Sequence, residues 1–179
     1  MRKWNGILSL AALILLLLHG ILGSFQLIGV GSTAVKALAW IAVVLLAVHA
    51  VFGVKLTVDT LRVWKKTGAA YFRENRLFWA RRISGFSTLL FLLFHVTAFC
   101  SGGGGAYRLQ WFTQGKLVLQ LLLVISLAVH IIANIRPLLI SLGIRSGRKW
   151  LGDMLFVLSV LLLFMALAFV ISYLRWNVW

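Results

Sequence analysis

Five long apolar runs dominate this chain, separated by short stretches in which Gly, Ser and charge concentrate. They extend approximately from Ile7 to Gly23, Lys36 to Val54, Ile83 to Cys100, Leu117 to Ile135 and Leu151 to Leu174. A hydrocarbon core of about 30 Å takes about 20 apolar residues per helix, within a range of roughly 17 to 25, so each run is long enough to cross a membrane. Backbone N–H and C=O groups in lipid must be paired inside their own segment, which makes all five runs predicted helices. The expected fold is an all-α membrane protein, one transmembrane domain over residues 1–179. Composition excludes a water-soluble alternative, with 62% hydrophobic residues and only three acids and one proline in 179.

Charge adds an orientation. The amino terminus, the stretch from Lys55 to Arg82 and that from Arg136 to Lys149 hold fourteen of the eighteen Lys and Arg residues, leaving Lys36, Arg108, Lys116 and Arg175 for the opposite side. The positive-inside rule then makes the amino terminus cytoplasmic and, with five spans, the carboxyl terminus external. Trp176 and Trp179 are expected in the outer aromatic belt and Trp4 in the inner one. Topology and attraction to anionic lipid account for the net charge of +15, so no nucleic-acid partner is expected. The basic opening followed by an apolar run and Gly23-Ser24 resembles a secretory signal peptide. It is read as mature, because cleavage would remove His19.

Four of the five runs carry one histidine each, His19, His49, His95 and His130. An ionisable side chain at membrane depth demands an explanation. His19 and His95 each lie twelve residues into an outward-going helix, roughly 18 Å above the inner boundary at about 1.5 Å per residue. His49 and His130 lie on inward-going helices, six residues before Lys55 and Arg136, roughly 9 Å from that boundary. The four therefore resolve into an outer pair and an inner pair, each drawn from two helices, the geometry of two stacked bis-histidine sites. Haem iron takes two trans imidazoles in a closed site suited to electron transfer. Zinc or copper would ask for three or four ligands converging at one depth. The plain alternative, a histidine hydrogen-bonded to a neighbouring helix, competes for any one of the four more than for the paired set.

An internal repeat reinforces the pairing. Leu46-Ala47-Val48-His49 recurs as Leu127-Ala128-Val129-His130, and runs ending in His19 and His95 match, so spans one and two correspond to three and four as a parallel repeat. The expected product is a four-helix bundle with the fifth helix packed peripherally. Gly23 and Gly53 follow His19 and His49 by one turn and suit either a flat cofactor or close helix packing. Ser84, Thr88 and Ser126 either orient a ring nitrogen or bond back to their own helices. Cys100, lacking companions, reads as packing, Pro137 as a helix stop, and Gly102 to Gly105 as a flexible turn.

The stretch Tyr71-Phe72-Arg73-Glu74-Asn75-Arg76-Leu77-Phe78-Trp79-Ala80-Arg81-Arg82-Ile83-Ser84-Gly85, leading into the helix of His95, resembles the Arg-x-Ser/Thr-Gly signature of succinate dehydrogenase and fumarate reductase cytochrome b subunits. Five spans with one histidine on each of the first four are similar to the single-subunit, two-haem branch of that family, and the resemblance covers nearly the whole chain. It implies two haems b, the distal one on His19 and His95 and the proximal one on His49 and His130. It implies an anchor in a bacterial or archaeal cytoplasmic membrane that passes electrons between a quinone, expected to be menaquinone, and iron-sulfur and flavoprotein subunits on the cytoplasmic side. Arg81, Arg82 and Arg136 are then candidates for the inner propionates, and Arg108 and Lys116 for the outer ones. The loop from Leu61 to Arg82 offers either a docking surface or a headgroup-contacting segment. The chain departs from relatives that use an intramembrane or outer acid, because Asp59, Glu74 and Asp153 all fall on the inner side. That leaves Gln26, Tyr107, Arg108 or Gln110 for quinone carbonyls. The rivals are the dihaem anchor of another quinone-linked oxidoreductase, a histidine-bearing transporter and an anchor without a cofactor. The first tends to place two ligands on one helix, and transporters commonly break their helices at midplane.

Overall fold

The computed structural model describes residues 2–30, 35–68, 76–100, 112–144 and 148–177. These form five helices, α1 (Arg2–Leu27), α2 (Val35–Thr67), α3 (Arg76–Cys100), α4 (Gln114–Ser141) and α5 (Arg148–Asn177). All five are long and apolar enough to cross a membrane. Expectations for Tyr71 to Asn75, Gly102 to Gly105, Tyr107, Arg108, Gln110 and Trp179, and for the side chains of Lys36, Cys100 and Trp176, lie outside the described residues.

The helices overrun the apolar runs. Basic residues mark where lipid ends, and a helix need not stop there. α2 continues twelve residues past Lys55, and α3 starts seven residues before Ile83. Most of the expected loop between Leu61 and Arg82 is therefore helix, and only residues 68–75 are left to connect the two.

Pro137 corrects a second expectation. It lies inside α4, which runs on to Ser141. A proline inside a helix removes one N–H and strips the carbonyl four residues back of its partner, here that of Ala133. Arg81 supplies the missing donor from α3, its Nε donating to the Ala133 carbonyl at 2.9 Å. Both α1 and α4 end instead on a glycine in the left-handed region, Gly29 at φ +93° and Gly143 at φ +81°. The Val30 N–H reaches the Phe25 carbonyl and the Ile144 N–H the Leu139 carbonyl, closing a Schellman motif at each end.

α1 packs on α2 and α3 on α4, as two repeated halves would. α5 is more than a peripheral helix, because it fills the seam between α1 and α4 and supplies much of the core. Its buried stripe, Leu158, Leu162, Met165, Ala168 and Phe169, meets Val124, Leu127, Ile131 and Ile135 of α4. With no aqueous driving force between helices in lipid, this contact rests on close packing. Gly20 of α1 allows it, since a Cβ there would stand 2.5 Å from the Met165 methyl. The outward faces, among them Ile14, Val44, Leu93, Ile132 and Leu163, are exposed and apolar, as a lipid-facing belt requires. α2 and α3 do not pack extensively against each other, and a cavity opens between the two halves.

Candidate functional site: two histidine pairs in one cavity

The cavity measures about 670 Å³ and is lined by all five helices, within the range of about 300–1,000 Å³ typical of cofactor sites. On α1 the lining residues include Ala12, Leu16, His19 and Gly23, and on α2 Val43, Leu46, His49 and Gly53, the three- and four-residue spacing that keeps one helix face pointed inward. Met165 and Phe169 close the cavity from α5.

All four histidines line this space and face each other in the pairs expected from depth. The His19 and His95 ring centroids are 6.1 Å apart, at 90°. Those of His49 and His130 are 6.4 Å apart, at 75°. A bond of about 2.0 Å from a first-row metal to an imidazole nitrogen, and about 1.1 Å more to the ring centroid, puts two trans imidazoles about 6.2 Å apart. Among the described residues no three His, Cys, Asp or Glu side chains converge as a zinc or copper site would require.

Hydrogen bonds hold three of the four rings. His95 Nδ1 lies 2.7 Å from the side-chain carbonyl of Gln120 on α4, a residue 1% exposed. A carbonyl only accepts, so Nδ1 carries the proton and Nε2 keeps its lone pair, the arrangement usual for a metal-bound histidine. His130 Nδ1 lies 3.3 Å from Ser84 Oγ on α3, and His49 Nδ1 3.3 Å from Ser9 Oγ on α1. Each inner histidine thus meets a serine from the preceding helix, ten residues before His19 in one half and eleven before His95 in the other. The two halves differ at the outer level. Gln120 stands ten residues before His130, whereas Ala39 stands ten before His49, and His19 Nδ1 has no hydrogen-bond partner among the described residues.

The buried polar atoms left without a hydrogen bond among the described residues are Asn5 Oδ1, His19 Nδ1 and Arg82 Nε, all on residues that line the cavity. Orphaned polar atoms of this kind are expensive to bury, and a bound group or ordered water in the cavity would satisfy them. Gly23 and Gly53 have no neighbouring atom within 4 Å of a would-be Cβ. Close helix packing therefore does not explain them, and open space beside each histidine does. The open space beside Gly23 and Gly53 suits a flat, large group, and of the three orphaned atoms Arg82 Nε is a donor for an anionic edge, whereas Asn5 Oδ1 can only accept.

The Arg-x-Ser-Gly residues converge on the inner pair. Ser84 touches His130 and not His95, whose helix it shares. A Cβ on Gly85 would come within 3.2 Å of His130 Cε1, so the glycine makes room for the ring. Arg82 lies over the Phe78 ring, 5.2 Å from its centroid, lines the cavity, and has its Nε buried without a hydrogen bond among the described residues. Arg81 also lines the cavity, but its Nε is committed to Ala133. Arg136 is not brought to the site. It shares the exposed face of Ile132 and Ile140 and points away from the cavity. Thr88 and Ser126 bridge α3 and α4 through a 3.3 Å hydroxyl contact, and each also bonds back to its own helix. Neither touches a histidine ring. Gln26 lines the cavity, and Lys116 lies at the start of α4, away from its lining.

Gln120, Ser9 and Asn134, whose side-chain amide donates to the His130 carbonyl at 2.8 Å, are site residues the sequence argument passed over. A lone glutamine inside a lipid-length apolar run was a signal in its own right. The fold and the site define a multi-pass helical membrane protein with two facing intramembrane histidine pairs. Comparison with protein-family models, curated proteins and solved structures found no match.

Proposed function

We propose that this chain is the dihaem cytochrome b anchor of a quinone-linked respiratory oxidoreductase, of the succinate dehydrogenase and fumarate reductase type. The observation that carries the reading is the pair of facing imidazoles at each of two levels of one cavity, at 6.1 and 6.4 Å. Haem b bound there supplies reversible one-electron transfer. His19 and His95 hold the outer group and His49 and His130 the inner one. Gln120, Ser9 and Ser84 orient the rings, and Arg82 offers an anion partner at the inner level. Groups held by the two pairs would supply electron transfer between a quinone in the bilayer and a cytoplasmic iron-sulfur subunit, which a flavoprotein subunit would complete. The basic inner end of α2, with Lys55, Arg62, Lys65 and Lys66 on an exposed helix, suits docking of that subunit, and Gln26 is a donor for a quinone carbonyl. The amino terminus is cytoplasmic on this reading, and the membrane is a bacterial or archaeal inner membrane.

Edge-on contact between two neutral imidazoles also falls within about 4.5–7 Å, so a cofactor-free structural anchor is the competing reading. A reduced-minus-oxidised spectrum with pyridine haemochrome quantification on the purified full chain separates them. Two low-spin haems b per chain are expected, and a chain expressed with haem in excess that carries none overturns the proposal.

A further inference from the structure

Pro137 and Arg81 solve one problem between them. The proline leaves the Ala133 carbonyl without its backbone donor at a depth where water is scarce, and an unsatisfied backbone group there is costly. Arg81 Nε donates to that carbonyl at 2.9 Å across the α3–α4 interface. Ala133 lies three residues after His130, and Ser84, which meets His130 Nδ1 at 3.3 Å, lies three residues after Arg81. Gly85 abuts the same ring. One turn of α3 is therefore fixed against one turn of α4 at two heights, by Arg81 on Ala133 below and by Ser84 and Gly85 on His130 above.

We infer that Arg81 is a positioning residue: it substitutes for the N–H that Pro137 removes, and so sets the register of α3 against α4 that orients the His130 ring. This assigns Arg81 a backbone-donor role distinct from that of a counter-ion for an anionic cofactor edge, and it holds whatever the cavity binds. The pairing is directional. A backbone donor restored at position 137 makes the arginine dispensable, whereas a need for positive charge in the cavity is untouched by the backbone.

The test is a double-mutant cycle on the full chain in lipid nanodiscs with Arg81→Met, Pro137→Ala and their combination, labelled with 15N-histidine. The His130 ring signals are assigned by their loss in His130→Ala, and chemical unfolding is followed in parallel. Arg81→Met leaves the Ala133 carbonyl unpaired and is expected to reduce the folded-to-unfolded ratio by between about fivefold and about 150-fold. It is also expected to shift the His130 ring nitrogens while leaving those of His19 and His95 in place. Pro137→Ala in the same chain supplies an N–H to Ala133 and is expected to return both readouts to near the parent values. Arg81→Lys, which keeps a donor, is expected to lose less than Arg81→Met. Should Arg81→Met fail to fold, recovery of a folded chain in the double variant is the expected result. Equal losses with and without Pro137, or a double variant that stays unfolded, overturn the inference.

Discussion

If the chain holds the two haems proposed, Gln120→Leu is expected to raise the potential of the haem between His19 and His95 by up to about 40 mV and leave the other unchanged. The Gln120 carbonyl accepts from His95 Nδ1 at 2.7 Å, in a site where Gln120 is 1% exposed. That bond pushes electron density into the ring and makes Nε2 more basic, which would favour the oxidised state of an iron bound there. Removing it destabilises the oxidised form relative to the reduced one, so the potential rises. With a net hydrogen-bond worth of about 1 kcal/mol, and about 59 mV per tenfold for one electron, the shift would be about 40 mV if the bond counted in the oxidised state alone, which sets its ceiling. Leucine also leaves the Nδ1–H without an acceptor, at a cost of about 1–3 kcal/mol in stability. Potentiometric titration of the haem absorption bands in lipid separates the two centres. Gln120→Glu, a carboxylate acceptor in the same place, is expected to move the outer potential the other way. A haem-replete Gln120→Leu chain with both potentials unchanged, or with only the inner one moved, would refute the reasoning.

Three further outcomes follow from the same geometry. Gly23→Leu and Gly53→Leu project into open cavity beside His19 and His49, so each is expected to cut bound haem to about one per chain with little change in the melting point of the cofactor-free protein. Gly20→Val meets Met165 instead and is expected to destabilise the chain by about 1–3 kcal/mol through overpacking, read as a lowered unfolding midpoint in detergent. Ala39→Gln places an amide where the repeat lacks the counterpart of Gln120, and is expected to lower the outer potential by supplying an acceptor to His19 Nδ1.

Much of this site was legible because helical rise is a fixed ruler. Counting from the starts of their apolar runs put His19 level with His95, counting back from Lys55 and Arg136 put His49 level with His130, and the ring pairs are those. The same arithmetic could have excluded Arg136, six residues after His130 and therefore about 120° around the helix from it. What sequence could not supply were partners contributed by a second helix. Pro137 reads locally as a stop, and only Arg81 of α3 lets α4 continue past it. Which ring nitrogen Ser84 could orient was open in the sequence, and its hydroxyl meets His130 of the neighbouring helix. The weight of α5 was hidden for a related reason. Its run is apolar all round, so no pattern marks which face packs, and the choice is made by small residues elsewhere, such as Gly20 of α1. α2 continues past the apolar run that ends at Val54 because charge marks the end of the run and not the end of the helix.

The central claim is that the four histidines act as two axial pairs, and haem content in double-alanine variants tests it most directly. His19→Ala with His95→Ala removes both ligands of one site and is expected to leave one haem b per chain, as is His49→Ala with His130→Ala. His19→Ala with His49→Ala takes one ligand from each pair and is expected to leave none. Equal haem content in the within-pair and cross-pair variants would contradict the pairing, and full haem content in all of them would show that these histidines hold no haem.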